Sequence, residues 1–112
     1  MANRNKAKGS AAERAVANWL ADRDWPDAER RYDAGRHDDR GDIRGIPGVT
    51  VEVKNHQRLD LAGWVAELEQ EMTNAGHDLG FVVVKKRGTT DVGRWYAVLP
   101  VEVIARLLPR PE

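Results

Sequence analysis

Two carboxylates and an amine stand in a spacing that suits the hydrolysis of phosphate esters. Asp42 is followed, after nine intervening residues, by Glu52, and Lys54 comes two positions later. Carboxylate oxygens are the ligands that Mg²⁺ and Mn²⁺ prefer, and an amine can orient the attacking water or offset the charge that develops on phosphorus. These residue types predict a divalent-cation site with a lysine beside it.

The segment that carries Glu52 and Lys54 reads as a half-buried β-strand. In Val49–Lys54, valine alternates with a polar residue. Alternate side chains of a strand share a face. We therefore expect the valines to face the core, and the acid and the amine to share the open face.

A second short strand is predicted at residues 42–44, upstream of a turn. Pro47 followed by Gly48 is typical of a type II turn. The turn folds Asp42 back beside the valine-rich strand in a hairpin, so that the two carboxylates can converge on one ion. The backbone carbonyl of Val53 is a further candidate oxygen ligand.

Helical spacing of apolar residues predicts the first two helices. Residues 10–23 form the first, with Ser10 as its N-cap, and residues 1–9 precede it as a flexible basic tail. Asp60 is suited to cap the second helix, and Gly76 to end it.

The remaining elements complete one domain, residues 10–112. A short strand is expected near residues 29–32, a strand covered on both faces at 81–84, and another at 95–99. A final helix begins at Pro100. The predicted fold class is α/β, a mixed sheet flanked by helices.

Glu13 has two interpretations. Ser10 and Glu13 have the spacing of a capping box, in which the glutamate bonds back to the serine amide. Alternatively, Glu13 leans from the margin of the apolar stripe toward the sheet and binds the metal.

Composition limits the possible functions. The 112 residues include 18 basic and 18 acidic side chains and no cysteine. A formal charge of zero argues against a binder that works by bulk positive charge, and no segment resembles a membrane span or a signal peptide, so we expect a cytoplasmic protein. The histidines His37, His56 and His77 lack the spacing of a zinc site.

Basic residues are nevertheless grouped where they could contact DNA phosphates. They fall in the N-terminal segment, in the segment leading to Asp42, and after the strand at residues 81–84. The candidates are Arg4, Lys6, Lys8, Arg30, Arg31, Arg36, Arg40, Lys85, Lys86 and Arg87.

The run Gly41-Asp42-Ile43, nine further residues and Glu52-Val53-Lys54 resembles the PD-(D/E)XK nuclease signature. With Gly9-Ser10 ahead of Glu13, residues 9–99 are most similar to the small Holliday junction resolvases of the archaeal type and their phage-encoded relatives. Gly41 departs from the proline in the superfamily's name. In several branches a glutamine on the following helix joins the site, and Gln70 is the corresponding candidate.

The resemblance implies a restriction-endonuclease-like αβββαβ core in which Glu13, Asp42 and Glu52 bind metal and Lys54 assists catalysis. It implies an endodeoxyribonuclease that depends on Mg²⁺, for which Mn²⁺ substitutes, that uses no small-molecule cofactor, and that leaves 5′-phosphate ends. The expected substrate is a four-way DNA junction in a bacterial host or phage-infected cell.

Two symmetric nicks across a junction need two active sites, and each chain has one, so we expect a homodimer. Its interface would use apolar surface on the last helix or around residues 81–84. Two alternatives remain open: another nuclease of the same fold, such as a flap, nicking or restriction-like enzyme, and a catalytically silent DNA-binding module.

Overall fold

A computed structural model describes residues 2–32 and 39–112, which form a five-stranded mixed sheet with helices on both faces. The elements in chain order are α1 (Ala2–Ala21), β1 (Glu29–Arg30), β2 (Ile43–Arg44), β3 (Val49–Lys54), α2 (Leu61–Ala75), β4 (Leu79–Val84), a 3₁₀ turn (Val92–Arg94), β5 (Tyr96–Val98) and α3 (Val101–Ala105). The predicted α/β class and element order are confirmed.

The strands lie in the sheet in the same order as in the chain. β1, β2 and β3 form an antiparallel meander in which Ile43 pairs with Val51. β4 runs parallel to β3, because α2 crosses over between them, and β5 returns antiparallel to β4. β3 is therefore the central strand.

Helices cover both faces of β3. One core joins α1 to the valine face of the strand, and the other joins α2 and α3 to β4. The prediction of a half-buried strand is wrong, since Thr50 is 0% exposed and Glu52 only 3% exposed. The reason is α2, which lies over the face that the sequence pattern left open to solvent.

The β2–β3 turn confirms the predicted hairpin. The Val49 amide donates to the Ile46 carbonyl at 3.2 Å, and Gly48 has the positive φ of 75° that a type II turn requires. Gly45, also at positive φ, packs against the backbone of Asp27, whose carbonyl oxygen would lie 1.9 Å from an added Cβ. This close approach holds the hairpin against the chain that leads into β1.

Both predicted caps of α2 are confirmed. The Asp60 carboxylate accepts the Gly63 amide at 3.1 Å, and Gly76 adopts the left-handed conformation that ends the helix. The predicted start of the first helix is wrong, because α1 begins at Ala2 and residues 2–9, expected as a flexible tail, lie in it. Five of the eight residues, two alanines, two lysines and an arginine, are good helix formers, and no proline interrupts them, although two asparagines and Gly9 favour a helix less.

At the other end of the chain, the predicted final helix is confirmed as α3, with Pro100 at its N-cap position, but it ends at Ala105, so Leu107 and Leu108 are exposed beyond it. Residues 81–84 lie in β4, where three of the four side chains are buried and Phe81 is partly exposed. Within the described ranges, each helix is too short or too polar to cross a lipid bilayer.

Candidate metal centre

Asp42 is fixed against β3 by backbone hydrogen bonds. Its Oδ2 accepts the Val53 amide at 2.8 Å, and its own amide donates to the Val51 carbonyl at 2.8 Å. Gly41, with φ of 101°, lets the chain approach, since an added Cβ would lie 2.9 Å from the Val51 oxygen. The structure thus brings Asp42 beside the Glu52-Val53-Lys54 run.

Glu52 points into a buried, acidic environment. Its Oε2 lies 3.4 Å from the Lys54 Nζ, while Oε1 is buried and accepts no hydrogen bond from the described residues. Burial, followed by the negative charge of Asp42, raises the pKa of Glu52 to about 12. Burial is also the main reason that the pKa of Asp42 is raised to about 6. Without a cation, these carboxyl groups hold protons that water-exposed ones would release.

Lys54 is clamped by a residue that the sequence analysis did not select. Its Nζ donates to both carboxylate oxygens of Glu67 in α2, each at 3.0 Å. Burial alone would lower the pKa of Lys54, but hydrogen bonding to Glu67 and the charge of Glu52 outweigh it and raise that pKa. The amine is therefore a positioned ammonium.

A second missed residue, Glu71, lies one helical turn beyond Glu67. Carboxylate oxygens of Glu52, Glu67 and Glu71 all lie within 4.8 Å of one another. Burial, then the charges of Asp39 and Glu67, raise the pKa of Glu71 to about 8. The sequence carried a signal for it: Glu71 falls between Leu68 and Met72 on the apolar stripe of α2, where an acid is out of place.

Glu13 lines the same cleft but is engaged elsewhere. Its Oε1 accepts the Arg30 Nε at 3.0 Å, and Arg30 also donates to the Ser10 hydroxyl at 3.1 Å. The capping-box interpretation is wrong, since Ser10 lies inside α1. The described acids that lie close enough together to surround one ion are Glu52, Glu67 and Glu71, a group that includes neither Glu13 nor Asp42. Gln70 is exposed and donates to Asn74 instead.

Glu13, Asp42, Glu52, Lys54 and Glu67 line a cleft of about 970 Å³. Asp42, Glu52 and Lys54 lie in its wall, and Lys8, Lys85 and Arg87 contribute positive charge to it. The acidic centre and a set of cations thus share one cavity, as contact with a phosphate backbone requires.

The other described basic residues that were predicted to contact DNA do not line this cleft and lie at several different places. Lys86 lines an adjoining groove, Lys6 and Arg40 are exposed, and Arg31 is half-buried with its amide donating to the Asp42 carbonyl. Arg36 and the Arg4 side chain lie outside the described residues, as does His37. His56 stacks at a tilt on Trp64, and His77 contacts the Thr50 hydroxyl at 3.0 Å.

The donor set fits a hard divalent cation. The available ligands are carboxylate oxygens and the main chain of Val53, and the buried Oε1 of Glu52 still lacks a partner among the described residues. Burial first, and neighbouring carboxylate charge second, raise the pKa values of Asp42 and Glu52, and a cation of this class would offset both effects. Comparison of the chain with family models, curated proteins and solved structures finds no match.

Proposed function

We propose that this protein is a Mg²⁺-dependent endodeoxyribonuclease of the PD-(D/E)XK type that resolves four-way DNA junctions. The observation that carries the proposal is the convergence of Asp42, Glu52 and Lys54 in one cleft that also contains cations. The order α1, β1–β3, α2 and β4 is compatible with the αβββαβ core that the motif implies.

Asp42 and Glu52, with the Val53 carbonyl, would hold the cation. When bound, it supplies Lewis-acid stabilisation of the phosphoryl oxygens and of the attacking water. Lys54 acts next to it, where its ammonium orients the water and offsets the negative charge that develops on phosphorus. Water oxygen bonds to phosphorus and releases one proton to solvent, the bond from phosphorus to the 3′ oxygen breaks, and that oxygen takes up a proton from solvent, leaving a 5′-phosphate.

Glu67 is a positioning residue for this step. It holds the Lys54 ammonium by two hydrogen bonds at 3.0 Å, which fixes the amine beside Glu52. A flexible lysine side chain loses conformational entropy when it is ordered. Because Glu67 already orders Lys54 in the free protein, that entropy is not lost again when substrate binds.

Junction resolution calls for two such clefts. A four-way junction has two-fold symmetry, and a two-fold homodimer would present one cleft to each of the two opposed strands. Lys8, Lys85 and Arg87 would bind the phosphates that flank each cut, and these contacts read backbone shape rather than base sequence.

The proposal is tested by cleavage of an end-labelled synthetic four-way junction beside linear duplex, flap and single strand, in Mg²⁺ or EDTA. We expect paired symmetric nicks in the junction, 5′-phosphate products, and no cleavage in EDTA. Asp42→Asn is expected to abolish cleavage. Asp22→Asn, an exposed change at the end of α1, is the matched control and should cleave as the wild type does.

Two results would count against the proposal in different ways. Equal cleavage of flap or duplex would retain the nuclease chemistry and remove the junction specificity. Binding of the junction without cleavage in Mg²⁺ or Mn²⁺ would instead indicate a silent DNA-binding module.

A further inference from the structure

Glu71 is a buried acid that the proposed cleavage step does not use. It is 2% exposed, and both of its carboxylate oxygens are buried without a hydrogen-bond partner among the described residues. An unpaired carboxylate in such a place is costly, so a stable arrangement requires a proton or a cation at that point.

The oxygens of Glu71 face two other carboxylates. Glu52 comes from β3 and Glu67 from α2, and ligand atoms of all three lie within 4.8 Å of one another. Oxygen ligands of Mg²⁺, Mn²⁺ or Ca²⁺ lie about 2.0–2.6 Å from the ion, so two ligands on opposite sides of one ion are about 4–5 Å apart. Ligand atoms that lie within 4.8 Å of one another are therefore close enough to share one coordination sphere.

Lys54 alone does not neutralise or hydrogen-bond all three of these carboxylates. Its ammonium contacts both oxygens of Glu67 and approaches Oε2 of Glu52, but Oε1 of Glu52 is left without a partner among the described residues. One ammonium therefore faces three carboxylates. The charge that is left over is of the sign and size that a divalent cation balances.

The group formed by Glu52, Glu67 and Glu71 is separate from the proposed cation position between Asp42 and Glu52. Asp42 is not a member of it, since the described acids that meet the spacing are Glu52, Glu67 and Glu71. Asp42 approaches from β2 and is bonded to the Val53 amide, whereas Glu67 and Glu71 approach from the helix that covers the sheet. Glu52 is common to both positions.

We propose that Glu52, Glu67 and Glu71 form a second divalent-cation site between β3 and α2, with Glu52 bridging it to the ion held by Asp42. The inference rests on the proposed function for that first ion. The class of ligand is a hard divalent cation, and the two ions together would form a two-metal centre.

The test is a count of Mn²⁺ ions bound to the full-length chain, by calorimetric titration and by the loss of the free-ion paramagnetic resonance signal. We expect two ions per chain for the wild type and one for Glu71→Gln. Glutamine keeps the size of the side chain and removes its charge. Glu69→Gln, an exposed acid two positions away in the same helix, is the matched control and should bind two.

Two ions bound by Glu71→Gln, or a single ion bound by the wild type, would overturn the inference. A thermal unfolding curve for Glu71→Gln in EDTA checks that the variant folds, and it is expected to unfold at or above the wild-type temperature. The count is independent of cleavage. A wild type that binds two ions and cuts no DNA would refute the proposed function alone, and one that cuts junctions with a single ion would refute this inference alone.

Discussion

At the scale of single residues, the centre is a set of acids that compete for one ammonium. Lys54 is held by Glu67 and approached by Glu52, while Asp42 and Glu71 crowd Glu52 from other directions. Burial raises the pKa values of Asp42, Glu52 and Glu71 above those of exposed carboxyl groups. A divalent cation can take the place of the protons that these groups retain.

Replacing Lys54 by methionine should slow the chemical step and leave metal binding intact. Methionine keeps an unbranched side chain of similar length but removes the charge that faces the scissile phosphate. Loss of one group that stabilises developing charge costs about 10²–10³ in rate. The measurement is single-turnover cleavage of the junction in Mg²⁺, with a Mn²⁺ titration of the same variant. Arg110→Ala, a loss of positive charge that does not line the cleft, should cleave normally. A change below tenfold for Lys54→Met would contradict its role.

The metal-free protein should lose stability as pH rises from 5 to 8. The pKa values of Asp42 and Glu71 rise on folding from 3.8 to about 6 and from 4.5 to about 8, and that of Glu52 rises from 4.5 to about 12. In this range the folded state holds protons that the unfolded chain has released, so the free energy of unfolding falls with pH. The pKa of Glu67 is lowered and that of Lys54 raised, so both titrate outside this window.

The measurement is the urea midpoint at pH 5, 6.5 and 8 in EDTA. Glu71→Gln is neutral at every pH and should make the fall less steep, while Glu52 still contributes to it. Saturating Mg²⁺ should flatten the dependence in the wild type. A wild-type midpoint that rises with pH in EDTA would show that the acids are not protonated in the folded state.

At the scale of elements, the β2–β3 hairpin and α2 bring the acids together from two sides. The sequence was sufficient to predict β3, the turn before it, and both caps of α2, because those features depend on local alternation, turn chemistry and capping side chains. It was sufficient to place Asp42 beside β3 as well, because an antiparallel hairpin leaves little choice of register.

What the sequence pattern missed depends on packing between distant elements. The second face of β3 is buried by α2, and strand periodicity alone does not report what lies over a polar face. Glu67 and Glu71 enter the centre through that same packing. The start of α1 was misjudged because Ser10 is a good cap in isolation, while the helix-forming residues before it allow the helix to continue.

Gly45→Ala should destabilise the protein more than Gly48→Ala. Both glycines have positive φ, so both changes carry the same class of backbone strain. At Gly45 the added Cβ would also collide with the Asp27 carbonyl, whereas at Gly48 no atom lies within 4 Å. We expect a difference of at least about 1 kcal/mol between the two variants, measured by urea unfolding. Equal losses would show that the contact between Gly45 and Asp27 does not anchor the hairpin.

At the scale of the whole molecule, a chain with 18 basic and 18 acidic residues has no net charge, yet the two signs are placed differently in the cleft. Glu52 is buried in the wall, while Lys8, Lys85 and Arg87 also line the cleft and could contact the DNA of the proposed function. Association with DNA would therefore depend on this local group rather than on total charge.

Removing Lys85 or Arg87 should lower the affinity for the junction and make that affinity less dependent on salt. Each phosphate contact that is lost lowers the slope of log affinity against log salt by about 1. The measurement is fluorescence anisotropy of a labelled junction in EDTA from about 50 to 200 mM salt. In this range the affinity of proteins that contact DNA phosphates falls strongly as salt increases. Arg110→Ala is the control. An unchanged slope for Lys85→Ala and Arg87→Ala would remove these residues from the DNA interface.

The most direct test of the central claim is single-turnover cleavage of a four-way junction in Mg²⁺ by the wild type and by Glu52→Gln. Glutamine matches the protonated form of Glu52 in size and cannot bind the cation as a carboxylate does. We expect Glu52→Gln to fold at least as stably as the wild type in EDTA and to lose cleavage. Cleavage by Glu52→Gln at the wild-type rate would show that the chemistry does not depend on this centre.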